Sequence, residues 1–142
     1  MKEIYLCSTL KADWNRTFNP ILCEALEKTG FSIYLPQRDT NQSGAGPEIL
    51  AQNMKAMKSA RLLIGIAKNA SPNFGAEVGY FFGCGKPVLI LAESFQEIPL
   101  MTTGMVTDIV ILKNLGDVSL YCAQLSRVLA KIIQGGSTST QA

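Results

Sequence analysis

Glu77 stands between glycines in the stretch Ser71 to Val88, SPNFGAEVGYFFGCGKPV, directly after the apolar run at 62–67. An apolar strand that ends in a polar, glycine-bearing turn and opens a helix is where open α/β sheets place their ligands. A glutamate there is placed for chemistry. Near the first turn of a helix it feels the positive end of the helix dipole, which favours the ionised form and a role as nucleophile rather than acid. The same position suits a glutamate that serves only the macrodipole and the cap. Position alone leaves both open.

A second group could hold an anion. Ser8, Thr9 and Lys11 follow the apolar opening IYLC, and Ser71 and Asn73, with Gly75 beside them, follow the later apolar run. Hydroxyls, backbone N–H groups and a lysine converging near a helix start are what a phosphate or sugar hydroxyl requires, although each is also ordinary turn chemistry. Neither G-x-G-x-x-G after the first strand nor G-x-x-x-x-G-K-[ST] occurs, which disfavours dinucleotide and P-loop NTP binding. Gln37, Asp39, Asn41 and Gln42 offer donor and acceptor pairs that could read a base edge, or plain solvated loop polarity. Tyr5 is either a site residue or a core aromatic with a satisfied hydroxyl, and Phe81 and Phe82 read as core.

Composition narrows the chemistry. The 142 residues contain no histidine, which removes Ser-His-Asp and Cys-His systems and His-based zinc sites. Acid–base work falls to the 11 carboxylates, or to Tyr, Cys and Lys. Cys7, Cys23, Cys84 and Cys122 lack C-x-x-C pairing and lie in apolar settings, so they read as small buried thiols, with no metal and no cofactor expected. Net charge is +2 with the basic residues scattered, so no nucleic-acid polymer is expected as a partner. No apolar run approaches the roughly 18 residues of a membrane span, and the chain enters a strand without an apolar leader. The expectation is a cytoplasmic protein without membrane contact.

The elements that must position these residues follow from periodicity. Residues 4–10 read as a buried strand and its turn; Phe18 onward, with apolar residues at 18, 21, 22, 25 and 26, as a helix capped near Gly30; and 31–35 as a second strand. The segment PQRDTNQSGAG at 36–46 is too polar to pack and is expected as a mobile loop over one end of the sheet. Pro47 opens a second helix, 62–67 is a third strand, a third helix begins near Phe74, and 87–92 and 108–112 are further strands. A long amphipathic helix spans 118–133. One domain over 1–134 and a disordered tail over 135–142 are expected. A chain of this size buries about two-thirds of its unfolded surface, enough for a core without staples. Strands alternating with helices imply an α/β fold: a flavodoxin-like, five-stranded parallel sheet of order 2-1-3-4-5 with helices on both faces. Its switch point lies between strands one and three.

Through IYLCSTLK, QNMKAMKSARLLIGIA and above all FGAEVGYFFGCGKPVLIL, most of the chain resembles the nucleoside 2-deoxyribosyltransferase superfamily, whose members cleave nucleoside N-glycosidic bonds through a glutamate. The resemblance implies that Glu77 is the nucleophile that attacks C1′ and forms a glycosyl-enzyme. It implies that Tyr5 is the tyrosine near it, that Gln42 or Gln37 contacts the base, and that a neighbouring subunit completes the site. Two departures stand out. Asn53 occupies the place of an aspartate of the transferases, and Ser71 that of a second one. Ser71, with a turn of the Cys-x-Ser/Thr-x-Lys/Arg kind, is instead similar to the branch that hydrolyses 2′-deoxynucleoside 5′-monophosphates, in which Thr9, Lys11 and Ser71 would hold the phosphate. A carboxylate beside C1′ can capture an oxocarbenium-like centre covalently. The acid for the departing base is left to Asp39, or to Asp108 of a neighbouring subunit.

The expected partners are therefore a nucleoside or its 5′-monophosphate, a free nucleobase as acceptor if the sugar passes to a second base rather than to water, and a second copy of the chain. A non-catalytic nucleotide-binding module on the same fold is the rival, supported by Asn53. Flavin binding is weaker, because the first turn lacks a hydroxyl run long enough to wrap a phosphate.

Overall fold

A computed structural model describes residues 1–139, with side chains through residue 135. Among the described residues five strands, β1 (Ile4–Cys7), β2 (Ile33–Tyr34), β3 (Leu62–Ile66), β4 (Val88–Ala92) and β5 (Asp108–Ile111), form one parallel sheet of order β2-β1-β3-β4-β5. This is the expected α/β architecture. Every residue of β1, β3 and β4 is buried, as central parallel strands covered on both faces must be. Period-two alternation then divides their side chains. Ile4, Leu6, Leu62, Ile64, Leu89 and Leu91 face a layer with α1 (Asp13–Lys28) and α6 (Cys122–Ser139). Tyr5, Cys7, Leu63, Val88 and Ile90 face a layer with α3 (Gly46–Ser59) and α4 (Pro72–Gly83).

Gly65 sets how closely α4 meets the sheet. A Cβ at Gly65 would lie 2.7 Å from Ile90 Cδ1 and 3.0 Å from the Phe74 ring, so only glycine lets the start of α4 settle against β3 at this depth. The GKPV segment is structural. Gly85 takes φ +71°, and Lys86 Nζ donates to the carbonyls of Met57, Lys58 and Ala60 at 2.8–2.9 Å. A cation there satisfies the otherwise orphaned carbonyls at the end of α3 and opposes its dipole.

Two expectations about local structure change. The first helix starts at Asp13, five residues before Phe18, because its inward face carries Asn15 and Asn19 as well as Phe18, Leu22, Cys23 and Leu26. The segment 36–46 is not one irregular loop. It contains a one-turn helix, α2 (Pro36–Asp39), and is tied down by side chains. Pro20 lies within α1 and has no N–H to give the Arg16 carbonyl, and Gln37 Nε2 donates to that carbonyl at 2.9 Å instead. A further one-turn helix, α5 (Leu100–Thr103), precedes β5. At the carboxyl end α6 continues to Ser139, through part of the segment expected as a tail, and residues 140–142 lie outside the described residues.

Candidate active site

Parallel strands point their carboxyl ends the same way, and at those ends of β1 and β3 the chain turns into α1 and α4. Between these turns and α3 lies a cleft of two lobes. The polar lobe, about 250 Å³, is lined by Ser8, Thr9, Lys11, Gln42, Ser71 and Asn73 among others. The apolar lobe, about 520 Å³, lies between α3 and α4 and is lined by Ile49, Leu50, Met54, Met57 and Tyr80. Four residues line both lobes: Ile49, Asn53, Asn73 and Glu77. Glu77 is the only carboxylate that either lobe exposes among the described residues.

Glu77 is the sixth residue of α4, beyond the first turn, and its surroundings reverse the electrostatic expectation. Burial pushes its pKa up, while hydrogen bonding from Cys7 and Tyr5 pulls less strongly the other way. Desolvation of a charge outweighs a dipole whose influence fades after one turn. The same carboxylate raises its neighbours: the Cys7 thiol and the Tyr5 phenol both titrate well above their ordinary values, chiefly through burial and then through Glu77. Both therefore keep their protons at neutral pH. The Tyr5 hydroxyl is fully buried and makes no hydrogen bond of ordinary geometry among the described residues. Its ring is stacked on Tyr34, centroids 5.7 Å apart and nearly parallel, which holds the hydroxyl in the direction of Glu77.

The polar lobe is assembled from two turns. Ser71 is the N-cap residue of α4, yet its side chain makes no capping hydrogen bond and lines the cavity. Thr9 is 7% exposed and its Oγ1 accepts from the Lys11 amide. Gln42 reaches the lobe while its Nε2 donates to the Pro36 carbonyl at 2.9 Å. Gly75 contributes no side chain, and an added Cβ there would meet nothing within 4 Å.

The structure does not bring Gln37 and Asp39 to the cleft. Gln37 is consumed by the Arg16 carbonyl and by Asn19, whose Nδ2 donates to it at 3.1 Å. Asp39 accepts from the Leu35 amide and from Arg38, both at 2.9 Å. Burial raises its pKa, but Arg38 and the amide outweigh burial and hold the carboxyl below its ordinary range, the opposite of a proton donor. Asp108 opens β5 at the far end of the sheet and is exposed. It cannot reach the cleft of its own chain.

Sequence reasoning missed Asn15. It is fully buried, and its Nδ2 donates to Ser8 Oγ at 3.0 Å and to the Lys68 carbonyl at 3.1 Å. Its Oδ1 accepts from Asn69, a residue held at φ +59°. One side chain thus clasps the β1 turn to the β3 turn, the two walls of the polar lobe. The available signal was a pair of amides four residues apart on the inward face of a helix. Asn15→Ala leaves buried partners unsatisfied and is expected to cost about 1–3 kcal/mol, read as a lower denaturation midpoint at unchanged slope. It should also raise KM more than it lowers kcat.

A parallel sheet with a half-buried glutamate at its switch-point cleft, flanked by hydroxyls and one lysine, is an arrangement in which open α/β folds place small ligands. Three comparisons refine that class. The family model described as nucleoside 2-deoxyribosyltransferase matches residues 4–120, and the chain belongs to this family. Among solved structures it resembles the 2-deoxyribosyltransferase of Bacillus psychrosaccharolyticus, with 19% identity, TM-score 0.67, and 79% of this chain and 88% of that one covered. It is similar to the CMP N-glycosidase of Clostridium botulinum, with 18% identity, TM-score 0.67, and 89% and 99% covered. The TIR domain of a Toll-related receptor from Hydra magnipapillata aligns too, with 17% identity, TM-score 0.64, and 94% and 99% covered. At such identities the likeness establishes a shared fold, and a fold hosts many functions. No curated protein matches the sequence significantly.

Proposed function

We propose that this protein cleaves the N-glycosidic bond of a 2′-deoxyribonucleoside 5′-monophosphate, or of the nucleoside, through a covalent glycosyl-Glu77 intermediate. The observation that carries this reading is the position of Glu77, among the described residues the single carboxylate at the junction of a polar and an apolar lobe. A phosphate held by Thr9, Lys11 and Ser71 and a base in or beside the apolar lobe bring C1′ between them. The Glu77 oxygen attacks C1′, the C1′–N bond breaks, and its electron pair leaves with the base. Water then attacks C1′ and releases the sugar phosphate and Glu77, or a second base takes its place. Tyr5 and Cys7, protonated neighbours of Glu77, fix its orientation and limit its basicity while it acts as nucleophile.

The test is chromatography after incubation with a panel of nucleosides and 5′-monophosphates, with and without a free acceptor base. Release of base alone assigns hydrolysis; exchange assigns transfer. The rival, a nucleotide-binding module without catalysis, draws support from the amide at position 53, where an acid would assist departure. Turnover of any panel member removes it.

A second copy of the chain completes the cleft in this proposal. Leu50, 58% exposed, borders the apolar lobe, and Leu100 and Met101 on α5 are 87% and 76% exposed. These exposed apolar side chains are the surface this proposal gives to the second copy. Sedimentation at working concentration is expected to show a dimer or larger. A strictly monomeric and fully active protein would be incompatible with a shared cleft.

A further inference from the structure

Among the described residues no histidine and no carboxylic acid besides Glu77 stands in this cleft to protonate the departing base, and the Tyr80 phenol that lines the apolar lobe titrates above its ordinary value. The chain lacks histidine, Glu77 is the only carboxylate lining either lobe among the described residues, and Asp39 is held ionised beside Arg38. Facing Glu77 from the α3 wall is Asn53, which lines both lobes. Its amide is oriented by a chain of two hydroxyls, of which Thr40 is buried and Tyr34 half-buried. Thr40, 5% exposed, donates from Oγ1 to Asn53 Oδ1 at 2.6 Å, and the Tyr34 hydroxyl lies 2.6 Å from the same Oγ1. A hydroxyl has one proton to give. With Thr40 donating to Asn53, Tyr34 donates to Thr40, and the Asn53 oxygen is occupied. What remains for the cleft is the Asn53 NH₂ group, a donor that does not release its proton.

We infer that Asn53 is a specificity-determining residue that selects, for the reaction proposed above, bases able to leave as hydrogen-bonded anions, namely 2-oxopyrimidines of the uracil and thymine type. The inference rests on that reading of the function. Attack by Glu77 on one side of C1′ sends the base out on the other, toward the α3 wall. As the C1′–N1 bond breaks, both electrons pass to the ring and the negative charge spreads onto O2 and O4. An amide N–H aimed at O2 stabilises that charge as it develops. No proton is consumed in this step, and water supplies one to the free base after its release. Cytosine, with an amino group in place of O4, is a poorer anion, and adenine has no O2 to accept from the Asn53 amide; both are helped to leave by ring protonation, which an amide does not perform. Lys11 lies in the polar lobe, on the phosphate side, and the Cys7 thiol sits with Glu77 rather than across from it.

The experiment measures kcat/KM for the 2′-deoxy 5′-monophosphates of uridine, thymidine, cytidine and adenosine on the full chain, on Asn53→Asp and on Thr40→Val. Wild type is expected to favour the uracil and thymine substrates by tenfold or more. Asn53→Asp should narrow or reverse that ranking by a gain on cytosine and adenine that grows as pH falls and the new carboxyl is protonated. Thr40→Val, which frees the amide to rotate, should shrink the preference while turnover persists. Equal or greater wild-type rates on cytosine and adenine overturn the inference but leave the proposed reaction standing, as does an unchanged ranking in folded Asn53→Asp. Absence of turnover on all four, and on the parent nucleosides, overturns the reaction and the inference together.

Discussion

Replacing Glu77 with alanine or glutamine should lower turnover by about three orders of magnitude or more, because the covalent route is lost and no second carboxylate among the described residues lines the cleft to replace it. Glu77→Gln makes the cleaner measurement, since it keeps the shape of the side chain and a hydrogen-bonding partner for Tyr5 and Cys7. The fold should not suffer. A carboxylate whose folded pKa is raised favours the folded state most below its unfolded pKa, and that contribution is lost as pH rises through the folded value. Once ionised, Glu77 is thus a cost to stability, which glutamine removes. The variant is expected to melt at or above the wild-type temperature at pH 7 while being nearly inactive. Wild-type activity should fall on the acid side sooner than for an exposed glutamate, because the nucleophile must be ionised. Near-normal turnover by a folded Glu77→Ala protein would remove the central claim.

A deoxynucleoside 5′-monophosphate should be a better substrate than its parent nucleoside by tenfold or more. Charge-assisted hydrogen bonds of about 1.5–3 kcal/mol each are available from a lysine and two hydroxyls, and about 1.4 kcal/mol is a factor of ten. Ser71 strengthens the case, since its hydroxyl is not used in capping α4 and lines the lobe. The double variant Lys11→Ala with Ser71→Ala should erase most of the preference through KM, with little change for the nucleoside itself. Preference for the unphosphorylated nucleoside in wild type, together with efficient base exchange, would reassign the polar lobe and make the protein an ordinary transferase.

The strands were legible because parallel strands buried on both faces must be apolar throughout, and the runs in β1, β3 and β4 are. Helix α1 was legible only from Phe18, because hydrophobic periodicity cannot register Asn15 and Asn19, polar residues that face inward and donate to segments outside the helix. The segment 36–46 was misjudged for a similar reason. Its polarity suggested solvent, whereas Gln37 fills the hydrogen bond that Pro20 leaves open in another element.

Periodicity and local spacing were enough for the parallel α/β sheet, its switch point and the prominence of Glu77, and resemblance of the motifs around Glu77 was enough for the family. Tertiary structure decided which polar residues meet. It brought Gln42, and not Gln37 or Asp39, to the cleft. It also turned Glu77 from a dipole-stabilised carboxylate into a desolvated one and oriented Asn53 through Thr40 and Tyr34. Burial and hydrogen-bond partnership depend on residues far apart in the chain, and the charge state of a side chain follows from them rather than from its neighbours in sequence.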